Sequence, residues 1–190
     1  MEAKSDGYNL EIKELPTLKA MTRRFVTSGG RVTGDVADNF GIVMRHIVAS
    51  GGAAEVFFLI SHDEAFDPER MDLEANISVP ELLPDSSEVR GREMPGGSFA
   101  GVIHKGPYES LGGAYEEAAL LMGEKGLKSL PPMREIYLND PDDTPPEELL
   151  TEVLFPIDSR PKALGGRDAL PKDGATHTGH RTSGAQSCRS

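Results

Sequence analysis

Glu135 is the residue whose type and setting best suit it to chemistry. It lies in the run Pro131-Pro132-Met133-Arg134-Glu135-Ile136-Tyr137-Leu138. If that run is a strand, side chains alternate faces, so Met133, Glu135 and Tyr137 share one side while Ile136 and Leu138 share the other. One face then reads as apolar core and the other combines an acid with an aromatic ring. A carboxylate beside a phenol suits a flat, apolar, positively charged ligand, because the acid supplies charge and the ring supplies dispersion and cation–π attraction. The competing reading is a surface glutamate paired with a neighbouring base. A second cluster precedes it: Tyr108, Leu111 and Tyr115 flank Gly112-Gly113 in a helical pattern. Each glycine there costs about 1 kcal/mol relative to alanine. The pair serves either close packing against backbone or space for a ligand beside the tyrosines.

The elements that would position these residues follow from periodicity. Tyr8 to Glu14 alternates apolar and polar, Pro16 interrupts, and Leu18 to Val26 resumes, giving one bent strand or two consecutive strands. Thr33 or Asp35 is a candidate cap for a helix carrying Val36, Phe40, Val43, Met44, Ile47 and Val48, and Gly51-Gly52 ends it. Glu55 to Ile60 reads as a buried strand and Leu73 to Val79 as a half-exposed one. The order then begins again: extended runs at Val89–Met94 and Ser98–His104, a helix from about Tyr108 to Lys125, and strands around Glu135 and from Leu149 to Ile157. His62-Asp63 recurs as Asn139-Asp140 and Val79-Pro80 as Phe155-Pro156, each displaced by about 77 positions.

The chain therefore reads as two copies of a strand-helix-strand-strand module, residues 8–80 and 88–157. The expected class is α+β: one antiparallel sheet, two helices on one side, and a groove between the halves. On this alignment Glu135 falls on Phe58 and Tyr137 on Ile60, so the second copy is polar where the first is apolar.

Composition narrows the function. The chain has 190 residues, a hydrophobic share of 37% and a formal charge of −11. The last 33 residues carry six Lys or Arg against three Asp, a surplus of three that leaves −14 on residues 1–157. Such a body repels phosphate backbones and attracts small cations, so direct nucleic-acid binding is not expected. No long apolar run suggests a signal peptide or membrane span, and the expected location is the cytoplasm. A single cysteine, Cys188, excludes an internal disulfide framework and a cysteine-rich zinc site. The pattern stops after Ile157, and residues 158–190 read as a disordered tail, whose His177, His180 and Cys188 make no credible metal site. No cofactor is expected.

The second half carries a recognisable combination: Phe99-Ala100-Gly101-Val102-Ile103-His104-Lys105-Gly106-Pro107-Tyr108, then Tyr115, then Pro132 to Tyr137, then Thr151-Glu152-Val153-Leu154-Phe155-Pro156-Ile157. Over residues 8–157 this resembles the GyrI-like family. That family includes effector-binding domains of AraC-type and MerR-type regulators, free-standing multidrug-binding proteins and a DNA gyrase inhibitor. The resemblance implies a ligand groove between two modules with Glu135 as its acid, partly desolvated so that its pKa rises until a cation pairs with it. Tyr137 and Tyr108 would stack on the ligand or hydrogen-bond it, and His104 would be a structural residue at a strand end. Only seven residues precede the first strand, so the chain shows no helix-turn-helix. It also lacks Trp, and Leu121-Met122 stand where relatives commonly place an aromatic. Three functions follow from the resemblance. The first is a non-enzymatic module capturing amphipathic, cationic small molecules as a sink or sensor. The second is a hydrolase opening cyclopropane rings of DNA-alkylating natural products, with Glu135 activating water. The third is a regulator acting through a protein partner such as gyrase.

Overall fold

The computed structural model describes residues 7–63 and 66–158. The expected tail lies outside these residues apart from Asp158. The strands are β1 (Glu11–Leu15), β2 (Leu18–Thr27), β3 (Phe57–Ser61), β4 (Met71–Ser78), β5 (Arg90–Met94), β6 (Gly97–Lys105), β7 (Met133–Tyr137) and β8 (Leu150–Pro156). Helix α1 is Val32–Ala49, and α2 is Leu111–Glu124, preceded by a 3-10 turn at Tyr108–Ser110. All eight strands join one curled antiparallel sheet in the order β1-β6-β8-β7-β3-β4-β2-β5. The class is α+β.

β1 and β2 are two strands rather than one bent strand, and they part company at Pro16. β1 pairs with β6 of the second module, while β5, which opens the second module, pairs with β2 of the first. The two connections touch: a Cβ on Gly96 would sit 2.2 Å from the Leu15 carbonyl oxygen and 2.6 Å from the Pro16 carbonyl carbon. Only glycine allows that approach.

Cross-strand pairing puts Glu135, Leu59, Ala75 and Arg23 on one face, through Leu59↔Glu135, Leu59↔Ala75 and Arg23↔Ala75. Arg23 bonds Asn39 of α1 and Glu135 bonds Tyr115 of α2, so both helices cover that face. Beneath α1, Val43 and Ile47 pack with Met21 and Ile77; beneath α2, Ala114, Ala118 and Met122 pack with Val102, Val153 and Phe155. Burying such apolar stripes is what fixes both helices on the sheet, since helix propensity alone does not hold a segment of this length. The opposite face carries its own buried cluster of Ala20, Phe58, Ile60 and Met94. Arg134 is buried on that side as well, donating to the Pro95 carbonyl at 2.6 Å and lying 4.7 Å from the Phe99 ring centre.

Two local expectations change. Helix α1 begins at Val32 without a side-chain cap, and Asp35 instead accepts from the Thr27 hydroxyl and pairs with Arg31 across one turn. In α2, a Cβ on Gly112 or Gly113 would meet nothing within 4 Å, so close backbone packing is not what these glycines serve.

The halves match bond for bond, and the match corrects the alignment read from sequence. His62 N–H donates to Asp72 O as Leu138 N–H donates to Leu150 O, and Gly52 N–H donates to Ile47 O as Leu127 N–H donates to Met122 O. Counting back along each element, Glu135 matches Leu59 and Tyr115 matches Phe40. Phe58 and Ile60 are on the helix-free face and cannot be the counterparts of Glu135 and Tyr137. A one-residue slip in a strand exchanges its faces, and the dipeptide match His62-Asp63 with Asn139-Asp140 carried that slip.

Candidate functional site

Strand β7 reads as alternation predicts: Met133 packs with the cluster under α2, Tyr137 with Leu59, Met71 and Leu73 beside Phe40 of α1, and Ile136 on the helix-free side. Glu135 sits between Met133 and Tyr137 on the helix face, beside Leu59 on β3 and Val153 on β8. Its carboxylate accepts from the Tyr115 hydroxyl at 2.5 Å and from the Tyr137 hydroxyl at 3.0 Å, one phenol to each oxygen. No cationic side chain pairs with it among the described residues, so the surface ion-pair reading fails.

Burial raises the Glu135 carboxyl above its ordinary value, and the two phenol hydrogen bonds pull partly the other way. A carboxylate held by two neutral donors keeps a negative charge without cancelling it. Tyr137 and Tyr115 are both raised well above the ordinary phenol value, by burial first and then by the Glu135 charge. Both phenols stay protonated and remain donors.

The expected trio is only partly in mutual contact. Tyr137 bonds Glu135 directly, whereas Tyr108 packs against Tyr137 edge to face at 5.5 Å. Tyr108 is also raised, by burial and then by the charges of Asp140 and Glu135. Tyr137 has a second aromatic neighbour in Phe40 of α1, edge to face at 5.7 Å, and Phe40 leans on Phe57 of β3 at 5.6 Å. Edge-to-face contacts at these separations stabilise by roughly 0.5–1.5 kcal/mol each beyond the area they bury. Acid and phenols thus come from the second module, and Phe40, Phe57 and Leu59 add apolar surface from the first.

Tyr115 is the partner that sequence reasoning placed beside a ligand but did not assign to Glu135. Its position one helical turn after Leu111, on the stripe that starts at Tyr108, was the available signal. Nothing local links it to an acid 20 residues on. In the sequence pattern Phe40 marks only a core position of α1. Met122 is buried under α2 and takes no part in the site, while Leu121 is partly buried against the same cluster. His104 is buried, its Nδ1 2.6 Å from the Tyr8 hydroxyl and its Nε2 3.3 Å from the Pro107 carbonyl. A cavity of about 650 Å³ lies away from Glu135, lined by Tyr8, His104, Ser110, Gly113, Glu117 and Leu120 among others. Among the described residues, no three His, Cys, Asp or Glu are grouped to hold a metal ion, and no helix is long and apolar enough to cross a membrane.

A family model, described as the GyrI-like small molecule binding domain, matches residues 9–158. The chain belongs to the GyrI-like family. It is therefore a GyrI-like small-molecule-binding domain. The EcmrR C-terminal domain is 24% identical, with a TM-score of 0.73 over 80% of this chain and 98% of that one. In the EcmrR–DNA complex the same likeness spans only 57% of the EcmrR chain. A structure described as a hydrolase from Listeria innocua is 16% identical, with a TM-score of 0.59 over 78% of this chain and 91% of that one. SAV2435, solved bound to tetraphenylphosphonium, is 13% identical, with a TM-score of 0.53 over 80% of this chain and 94% of that one. At these identities the likenesses show the fold. No curated protein matches the chain significantly.

Proposed function

We propose that this domain captures amphipathic, cationic, drug-like molecules in the groove between α1 and α2, acting as a sink for them or as a sensor coupled to a protein partner in the cytoplasm. The observation that carries the reading is the carboxylate of Glu135, held by Tyr115 and by Tyr137, which itself packs on Phe40 and Tyr108, and lacking a cationic partner among the described residues. Both of its oxygens already accept a phenol. A ligand that brings charge without a donor, such as a phosphonium or quaternary ammonium, gains the attraction without displacing either bond. The acidic body adds a long-range field that draws such cations in. SAV2435, which shares the fold, takes tetraphenylphosphonium, and this supports the choice of probe.

The test is calorimetric titration with tetraphenylphosphonium and with triphenylphosphine oxide, a neutral molecule with three of the same rings. The cation should bind at least about tenfold more tightly, a difference of about 1.4 kcal/mol. Equal affinities would remove the charge from the explanation.

A second reading is hydrolysis of a strained electrophile. Its support is the raised pKa of Glu135, since a carboxylate whose pKa moves toward neutrality is a better general base for water. A neutral, ring-strained alkylating agent incubated with the protein would gain the mass of one water on this reading. An unchanged mass leaves capture as the function.

A further inference from the structure

His104 plays no part in the groove as described, yet it is a buried imidazole with every polar contact satisfied, on the strand that leads into Tyr108. Its Nε2 faces the Pro107 carbonyl at 3.3 Å and the Ser110 hydroxyl oxygen at 3.0 Å. We assign the proton to Nε2, which then has the Pro107 carbonyl as an acceptor, so that Nδ1 accepts from the Tyr8 hydroxyl at 2.6 Å. Ser110 closes the ring, its hydroxyl donating to Pro107 O at 2.7 Å and its backbone N–H to the same oxygen at 3.0 Å. The Tyr8 and His104 rings lie nearly parallel, 6.2 Å apart.

The backbone is shaped around this contact. Gly106 has φ +140°, and a Cβ there would stand 3.3 Å from His104 Nε2 and 3.4 Å from Ser110 Oγ. Any side chain at 106 would strain the turn and crowd the imidazole. Pro107 then sets an extended residue immediately before the 3-10 turn, and Tyr108 is the first residue of that turn. Three donors, two from Ser110 and one from His104, converge on Pro107 O, one residue before the ring that packs on Tyr137.

We infer that His104 is a positioning residue for the ligand groove: locked in the Nε2–H tautomer by Tyr8, it clamps Pro107 and Ser110 and so holds Tyr108 edge-on to Tyr137 beside Glu135. The inference rests on the reading of that groove as the ligand site, but the clamp itself can be tested without ligand. Tyr8→Phe removes the donor to Nδ1 and leaves the ring stack in place. The imidazole is then free to carry its proton on Nδ1, which takes away the Nε2–H donor to Pro107 O.

The chain has four tyrosines, so 3-fluorotyrosine labelling gives four fluorine resonances, assignable by single Tyr→Phe variants. In Tyr8→Phe and in Ser110→Ala the Tyr108 resonance should shift or broaden, with a smaller change at Tyr137 against which it packs, while that of Tyr115 stays close to wild type. The long-range nitrogen spectrum of His104 should lose its single-tautomer signature in Tyr8→Phe. Tetraphenylphosphonium should bind either variant roughly three- to tenfold more weakly, since an unfixed wall must be ordered on binding. An unmoved Tyr108 resonance in both variants would overturn the inference. A moved resonance in a protein whose wild type binds no tetraphenylphosphonium would uphold the clamp and refute the ligand reading instead.

Discussion

Replacing Glu135 with Gln keeps the side-chain shape and removes its charge, and the structure fixes what else changes. One phenol can still donate to the amide oxygen, while the other meets an N–H and must turn to accept. Folding loses one charge-assisted bond and gains relief from burying an anion, so the unfolding free energy at neutral pH should move by no more than about 1–2 kcal/mol. Ligand binding behaves differently. A phosphonium centre inside its phenyl shell stays roughly 5 Å from the carboxylate, where an effective dielectric constant of about 20 gives about 3 kcal/mol of attraction. Part of that offsets the ligand's own desolvation, leaving a tenfold to hundredfold loss of affinity, about 1.5–3 kcal/mol. Calorimetric titration of both proteins with tetraphenylphosphonium, alongside urea unfolding, measures the two effects separately. Equal affinities in two equally stable proteins would refute the assignment of Glu135 as the cation anchor.

Three further outcomes follow from the same geometry. Because burial raises the Glu135 pKa above the ordinary carboxyl value, the free protein holds its proton there to a higher pH than an exposed carboxyl would. Cation affinity should therefore fall as pH drops through that raised pKa, with proton release on binding, and Glu135→Gln should show neither effect in titrations run from neutral into acid pH. The folding contribution has the opposite sign: a raised native pKa favours the folded state fully below the unfolded pKa and loses that favour as pH rises through the native one. The stability of wild type relative to Glu135→Gln should thus decline over that window in denaturation curves. Tyr115→Phe removes the shorter of the two hydrogen bonds to a buried anion and should cost about 1.5–3 kcal/mol of stability at neutral pH, while moving the pH dependence of cation binding upward; an unchanged pH profile would show that the bond does not hold the carboxylate. Gly112→Ala meets no atom within 4 Å and lies in a helix, so it should stabilise by up to about 1 kcal/mol in thermal unfolding.

Sequence alone determined the local terms. Alternation along Met133–Tyr137 put acid and phenol on one face because a strand has only two faces, and every principal strand and helix was legible from period and punctuation. Gly51 and Gly126, both at positive φ, end the two helices as glycine after an apolar helical stripe leads one to expect. The family was legible too, since its motifs are short contiguous stretches of the chain. What sequence did not determine was partnership across elements. Backbone hydrogen bonds between strands carry no sequence label, so the exchange of β1 and β5 between modules had no local signature. The register of β3 against β7, which sets Leu59 rather than Phe58 opposite Glu135, is fixed by which side chains can be buried together on each face. Tyr115 reaches Glu135, and Phe40 reaches Tyr137, only because both helices pack on the same side of the sheet. An acid's environment is a sum over neighbours distant in the chain, and packing alone brings those neighbours together.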